Sequence, residues 1–204
     1  MATPAALLER YVEAKDLTRP QLMRDIYAAD AVLTYSIATD TIEFPAEVRG
    51  VEGITQTLVV DFASKFDRCR TYYLCDAPPE RSACVVQLPW LVVMREPALS
   101  RLRMGKGFYR WTFQPDPTDG MCVTAMHIHI ERMDPIADPG AQLLERVQTP
   151  LPYPWLSPPV LDARFAGLAA SDPALRFVER FRVPVDPAAI RAAGAHRLSA
   201  AGSG

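Results

Sequence analysis

The stretch Met126-His-Ile-His-Ile-Glu131 alternates strictly between apolar and polar residues. This alternation predicts a β-strand, because successive side chains of a strand point to opposite faces of its sheet. One face of the strand is apolar, and the other presents His127, His129 and Glu131. The chain has only three histidines, so two of them on one strand face form the feature that a functional account must explain.

The segments around this strand extend the period-two pattern. We expect a short strand over 70–74 and long strands over 83–95, 101–113 and 121–133. Strands that follow one another through short turns pair antiparallel by default. The odd-numbered positions of 101–113 include two glycines, which permit a sharp curve of the sheet.

The first part of the chain has helical periodicity instead. We expect helices over 4–15, 20–29 and 53–66, with one strand over 31–37 between them. Thr3-Pro4 is a helix start, in which a capping hydroxyl is followed by proline in the first turn. Helices gathered early and strands gathered late indicate an α+β domain, with helices on one face of a curved antiparallel sheet.

Residues 135–204 differ in composition, so we divide the chain into a domain over 1–134 and a proline-rich helical extension over 135–204. A capping residue followed by proline recurs in the extension, at Asp138-Pro139, Ser157-Pro158, Asp172-Pro173 and Asp186-Pro187. The extension has too many large apolar residues to stay in water, so it should pack on the domain or on a second subunit. We expect residues 195–204 to be disordered, which would leave His196 outside any site.

Composition excludes several classes of function. The chain is 49% apolar with a net charge of −2, and it has no basic stripe for nucleic acid or for membrane surfaces. No run of 18 or more apolar residues predicts a spanning helix. The first residues do not resemble a signal peptide, so we expect a cytoplasmic protein. The four cysteines form no CxxC pair and are expected to be reduced and structural.

The element order resembles the cone-shaped domain shared by nuclear transport factor 2, ketosteroid isomerase, scytalone dehydratase and the SnoaL-like polyketide cyclases. The resemblance covers about residues 5–133 and rests on four segments, namely 27–35, 49–54, 107–113 and 125–131. It implies a small-molecule pocket between the concave sheet face and the helices. We also expect a homodimer.

The resemblance also implies positions for site residues. The strand register of these families places His127 and His129 inside the pocket, where imidazole could act as general acid and base. Asp16 and Tyr35 match the aspartate and the first-strand tyrosine of scytalone dehydratase. That enzyme's two catalytic histidines do not carry over, because Tyr73 and Trp90 stand at the matching positions.

We therefore predict a catalytic set in which an imidazole is the base, the aspartate orients it, and tyrosine hydroxyls stabilise an oxyanion. Its members are His127, His129, Asp16 and Tyr35. Aromatic, apolar and cationic side chains are expected to bind the substrate; they are Tyr73, Trp90, Met94, Arg103, Tyr109 and Trp111.

Two alternatives stay open for the histidine strand. Its apolar face could pack on the core, which would leave His127 and His129 on the solvated side. His-x-His is also a chelating spacing, but the cupin pattern needs a later histidine that the chain lacks, so we predict no metal and no cofactor.

The function predicted from the sequence is a cofactor-independent lyase, isomerase or cyclase. Its substrate would be a small apolar oxygenated molecule such as a polyketide, a terpenoid or a steroid-like compound. The alternative is a non-catalytic module of the same fold that binds a small molecule or mediates dimerisation.

Overall fold

The computed structural model describes residues 2–116 and 120–190; His196 lies outside them. The helices are α1 (Pro4–Asp16), α2 (Val51–Thr55), α3 (Asp61–Ala63), α4 (Gln142–Gln148) and α5 (Pro158–Ser171). A π-helical turn at Gln56–Val60 joins α2 to α3, and 3-10 turns span Pro20–Asp25, Pro97–Leu99 and Pro173–Phe181. The strands are β1 (Tyr27–Ile37), β2 (Glu47–Arg49), β3 (Asp67–Leu74), β4 (Val85–Glu96), β5 (Arg101–Asp116), β6 (Gly120–Ala137) and β7 (Trp155–Leu156).

The strands form one seven-stranded sheet in the order β2-β1-β6-β5-β4-β3-β7. Strands β3 to β6 pair antiparallel in chain order, which confirms the α+β class and the antiparallel pairing predicted for the long strands. Strand β1 joins β6 in parallel, so the first and last long strands of the domain lie side by side. The helix predicted over 20–29 is wrong in its second half, where Tyr27 begins β1 and pairs with Val123.

A β-bulge sets which side chains of β6 face the core. The pairing with β5 skips Glu131, since Ile130 and Arg132 lie opposite consecutive residues of β5. The buried apolar face therefore continues from Ile130 to Met133, and the strand bends at the extra residue. Gly107 permits this close approach of β5 and β6, because a Cβ atom there would lie 1.8 Å from the carbonyl oxygen of His129.

The two faces of the sheet bury separate cores. One face, here called the cone face, packs on α1 and on the helical segment over 51–63. Its core includes Tyr11, Trp111 and Ile128. The opposite, outer face of β3, β4 and β5 packs on the segment after β6, here called the C-terminal arm. Its core includes Tyr72 and Phe165.

The C-terminal arm thus packs on the sheet of its own chain. Phe165 of α5 and Phe181 of the following 3-10 turn are 0% and 1% exposed against this sheet face. The boundary expected at residue 134 falls inside β6, which continues to Ala137. All four cysteines are free. No helix among the described residues is long and apolar enough to cross a membrane.

We expect Phe165→Ala to lower the free energy of unfolding by about 3–5 kcal/mol, because it opens a cavity between the arm and the sheet. Urea unfolding measures this change. Arg164→Ala is the matched control, since Arg164 is exposed on the same helix and surface substitutions change stability by about 0.5 kcal/mol or less. Equal stabilities of the two variants would contradict the packing of the arm on the sheet.

Candidate functional site

The cone encloses a small inner cavity between α1, the sheet and the segment that joins β1 to β2. Its volume is about 40 Å³. A water molecule needs roughly 10–15 Å³, whereas small-molecule sites usually measure roughly 300–1,000 Å³. The lining residues are Tyr11, Lys15, Tyr35, Ile42, Phe44, Leu58, Phe62, Trp90, Val92, Met94, Tyr109, Ile128, Ile130 and Met133.

A larger outer cavity lies at the mouth of the cone and measures about 400 Å³, which is the size of a ligand site. Ile42, Phe44 and Phe62 line both cavities, so these three side chains stand between them. The other residues of the outer cavity are more polar; they are Asp40, Thr41, Glu43, Pro45, Thr57, Asp61, Lys65, Phe66, Glu96 and Arg103.

Buried hydrogen-bond donors that have no acceptor among the described residues line the inner cavity. The hydroxyl of Tyr35 and the indole Nε1 of Trp90 are buried without a hydrogen-bond partner, and the buried hydroxyl of Tyr11 has only that of Tyr109 beside it. An unpaired buried polar group costs roughly 1–3 kcal/mol. Burial raises the pKa of Tyr11 and of Tyr35, so both hydroxyls keep their protons at neutral pH and remain donors.

Lys15 adds a buried cation to the same wall. It follows the buried stripe of α1, and its Nζ lies 2.7 Å from the Asp16 carboxylate, 3.3 Å from Cys69 Sγ and 4.6 Å from the centre of the Phe62 ring. Burial has the largest single effect and would lower the pKa of Lys15, but the Asp16 carboxylate together with Cys69 and Tyr11 outweighs it and raises this pKa. The ammonium group is therefore charged at neutral pH.

Asp16 supports this wall and does not orient a histidine, so that prediction is wrong. Its carboxylate accepts hydrogen bonds from the backbone N–H of Thr71 at 2.6 Å and from the Thr71 hydroxyl at 3.0 Å. The hydroxyl of Tyr153 in the arm donates to it at 3.0 Å. The carboxylate thus joins α1, β3 and the arm, and its charge is paired with Lys15.

The prediction that His127 and His129 face the cone is also wrong. Ile128 and Ile130, the residues that alternate with them, line the inner cavity. The histidines therefore occupy the outer face of β6. The physical reason is the period of the strand, since only one of the two alternating sets can enter an apolar core.

On the outer face, the two histidines belong to a chain of hydrogen bonds between β1 and β6. Thr34 Oγ1 lies 2.8 Å from His127 Nδ1, and His127 Nε2 lies 2.9 Å from Ser36 Oγ. Ser36 Oγ is also 2.8 Å from His129 Nδ1, and His129 Nε2 is 3.0 Å from Glu131 Oε2. We call these five residues the outer-face chain.

The aromatic residues predicted to bind substrate divide between the cavity and the packed core. Trp90 and Tyr109 line the inner cavity, and their rings stack with centroids 5.5 Å apart. Tyr73 instead donates its hydroxyl to the Leu8 carbonyl at 3.0 Å. Trp111 is fully buried, 4.9 Å from the Tyr11 ring, and neither it nor Tyr73 lines the inner cavity.

Met94 and Arg103 lie toward the open side of the cone. Met94 lines the inner cavity, and Arg103 lines the outer cavity. Arg103 is 5% exposed, donates to the backbone carbonyl of Thr41 and lies 3.7 Å from Glu96. Arg103 therefore anchors the segment around Thr41 and Ile42 to the first residues of β5.

Several residues that line the two cavities were not predicted from the sequence, chiefly Lys15, Phe44 and Glu96. A sequence signal exists for Lys15, because it lies four residues after Tyr11 on the apolar side of α1, where charged residues are uncommon. No comparable signal marks Phe44 or Glu96, since Phe44 lies in the irregular segment between β1 and β2 and Glu96 is the last residue of β4. Within the described residues, no group of three or more His, Cys, Asp or Glu side chains is placed to hold a metal ion.

No protein-family model and no curated protein sequence matches this chain. Solved structures do. A nuclear transport factor 2-like superfamily protein from Salmonella enterica serovar Typhimurium has a TM-score of 0.50 at 14% identity, over 68% of this chain and 92% of that one.

Two further structures are similar to the same part of the molecule. LinA has a TM-score of 0.52 at 15% identity, over 64% of this chain and 85% of its own. A scytalone dehydratase-like protein from Novosphingobium aromaticivorans has a TM-score of 0.51 at 13% identity, over 67% of this chain and 89% of its own. With the sheet order and the cone described above, these similarities show that the chain has the nuclear transport factor 2-like fold.

Proposed function

We propose that the protein binds a small, largely apolar molecule in the cone through an oxygen atom that accepts hydrogen bonds. The observation that supports this most directly is the pair of buried unpaired donors on the wall of the inner cavity, Tyr35 and Trp90, with the Tyr11 hydroxyl beside them. A carbonyl, phenol or enolate oxygen would pair with them. The charge of Lys15 nearby favours an oxygen with partial or full negative charge.

The apolar part of the ligand would occupy the outer cavity, which has the volume that the inner cavity lacks. Phe44 and Phe62 border both spaces and provide flat apolar surfaces. For the ligand oxygen to reach the buried donors, these side chains must move apart. Aromatic polyketides, terpenoids and steroid-like compounds combine such an apolar body with a carbonyl or phenolic oxygen.

A second candidate function is the lyase or isomerase chemistry that the sequence suggested, with a different base. No His, Asp or Glu lines the inner cavity among the described residues. Glu96 lines the outer cavity, and its buried Oε2 has no hydrogen-bond partner, with the nearest Arg103 nitrogen 3.7 Å away. Such a carboxylate could remove a proton next to a carbonyl whose oxygen is held by the tyrosines.

Binding of a small molecule in the cone agrees with the scytalone dehydratase-like protein that shares the fold. The homodimer and the cytoplasmic location stay predictions from the sequence.

We expect wild-type protein to bind 2-acetylnaphthalene about fivefold more tightly than 2-ethylnaphthalene in isothermal titration calorimetry. The two probes differ in the acceptor oxygen, and one net hydrogen bond contributes about 0.5–1.5 kcal/mol. Tyr35→Phe should lose most of this preference and leave the affinity for the hydrocarbon unchanged.

Tyr72→Phe is the matched control, because it also removes a buried tyrosine hydroxyl but in the core of the outer face. It should keep the wild-type preference for the ketone. The proposal would be overturned if the Tyr35 and Tyr72 variants preferred the ketone equally, or if wild-type protein bound neither probe.

The enzymatic candidate has a test of its own. If Glu96 is the base, the protein should accelerate the exchange of the α-protons of 2-tetralone for deuterium, measured by proton NMR in D₂O. Glu96→Gln should slow this exchange by about 100-fold, in the range of general base catalysis. Glu43→Gln replaces another carboxylate of the outer cavity and should keep the wild-type rate, whereas unchanged exchange in Glu96→Gln would exclude this role.

A further inference from the structure

The outer-face chain lies outside the cone. Starting from Glu131, a donor and an acceptor can be assigned to each of its hydrogen bonds in turn. Glu131 can only accept at neutral pH, so His129 Nε2 donates to it, and in the neutral form of the ring Nδ1 is then an acceptor. The Ser36 hydroxyl then donates to His129 Nδ1. The same oxygen accepts from His127 Nε2.

The chain ends at Thr34, whose hydroxyl donates to His127 Nδ1. In this assignment of tautomers, every polar hydrogen of the outer-face chain is used once. Burial first, and then the charge of Arg110, lower the pKa of His127, which favours the neutral form of its ring.

From this arrangement we propose that Ser36 is a nucleophile for acyl transfer, with His129 as its general base and Glu131 as the residue that orients the base. A nucleophilic serine is recognised by a base within hydrogen-bond reach and a third group that holds the base. Here the two links measure 2.8 Å and 3.0 Å. The substrate class is small activated carboxylic esters.

The rigidity of this site comes from the sheet and from one aromatic ring. Ser36 and His129 are register partners on the neighbouring strands β1 and β6, so the backbone fixes their separation. The Phe108 ring stacks on the His129 ring with centroids 4.8 Å apart. His129 is 5% exposed and can change its orientation little, whereas Ser36 is only half-buried and stays open to a small reagent.

In the reaction, Ser36 Oγ forms a bond to the acyl carbon while its proton passes to His129 Nδ1. The bond between the acyl carbon and the leaving oxygen then breaks, and His129 returns the proton to that oxygen. Water, deprotonated by His129 in the same way, hydrolyses the acyl-serine and restores the hydroxyl.

A fluorophosphonate ester tests the proposal on the intact chain, because it forms a stable Ser Oγ–P bond as fluoride leaves. Peptide mass spectrometry of wild-type protein should show Ser36 labelled well before Ser64, an exposed serine that only donates to the Asp61 carbonyl. This comparison lies within one folded protein, so it does not depend on the stability of a variant.

Two variants separate a nucleophilic role from a merely structural one. His129→Gln should slow labelling of Ser36 by about 100-fold, as expected for loss of a general base, and Glu131→Gln should slow it to a smaller extent. Ser64→Ala should leave labelling of Ser36 unchanged. Labelling of Ser36 no faster than that of Ser64, or at the same rate in His129→Gln, would overturn the proposal.

Discussion

The fold depends on how β6 divides its side chains between the two faces of the sheet. This strand lies between β1 and β5, so its backbone is paired on both sides and its faces are fixed. A shift of one residue would exchange the two sets of side chains. It would bring two imidazoles into an apolar core and expose isoleucines, which costs far more than a surface substitution. The bulge at Glu131 then keeps the apolar set facing inward up to Met133.

The division of β6 gives the two faces different chemistry. The cone face offers donors and a paired cation, namely tyrosine hydroxyls, an indole and the ammonium group of Lys15. Such groups stabilise an oxygen that holds or develops negative charge. The outer face presents imidazoles, a hydroxyl and a carboxylate, which can exchange protons near neutral pH. The imidazoles and the tyrosine hydroxyls, which were expected in one site, are thus on opposite sides of one sheet.

A buried ion pair links α1, β3 and the C-terminal arm beside the cone. Lys15 and Asp16 are 5% and 1% exposed in their side chains. A buried ion pair is stable only when further hydrogen bonds satisfy its remaining atoms. Thr71 and Tyr153 provide those bonds to the carboxylate. The C-terminal arm therefore supports the wall of the cone from outside, because the hydroxyl of Tyr153 donates a hydrogen bond to Asp16.

The sequence by itself determined helix α1, the long strands, the α+β class and the antiparallel pairing of β3 to β6, because local periodicity and short connections control these features. It also contained the correct orientation of β6, since the apolar residues of an alternating strand favour the core. The register borrowed from similar families argued for the opposite face and was wrong. Only the tertiary structure decided the parallel pairing of β1 with β6, the contact between Ser36 and the histidines, and the partners of Asp16. These depend on residues 55 to 137 positions apart in the chain, and such contacts arise from packing of the whole sheet, which no local pattern records.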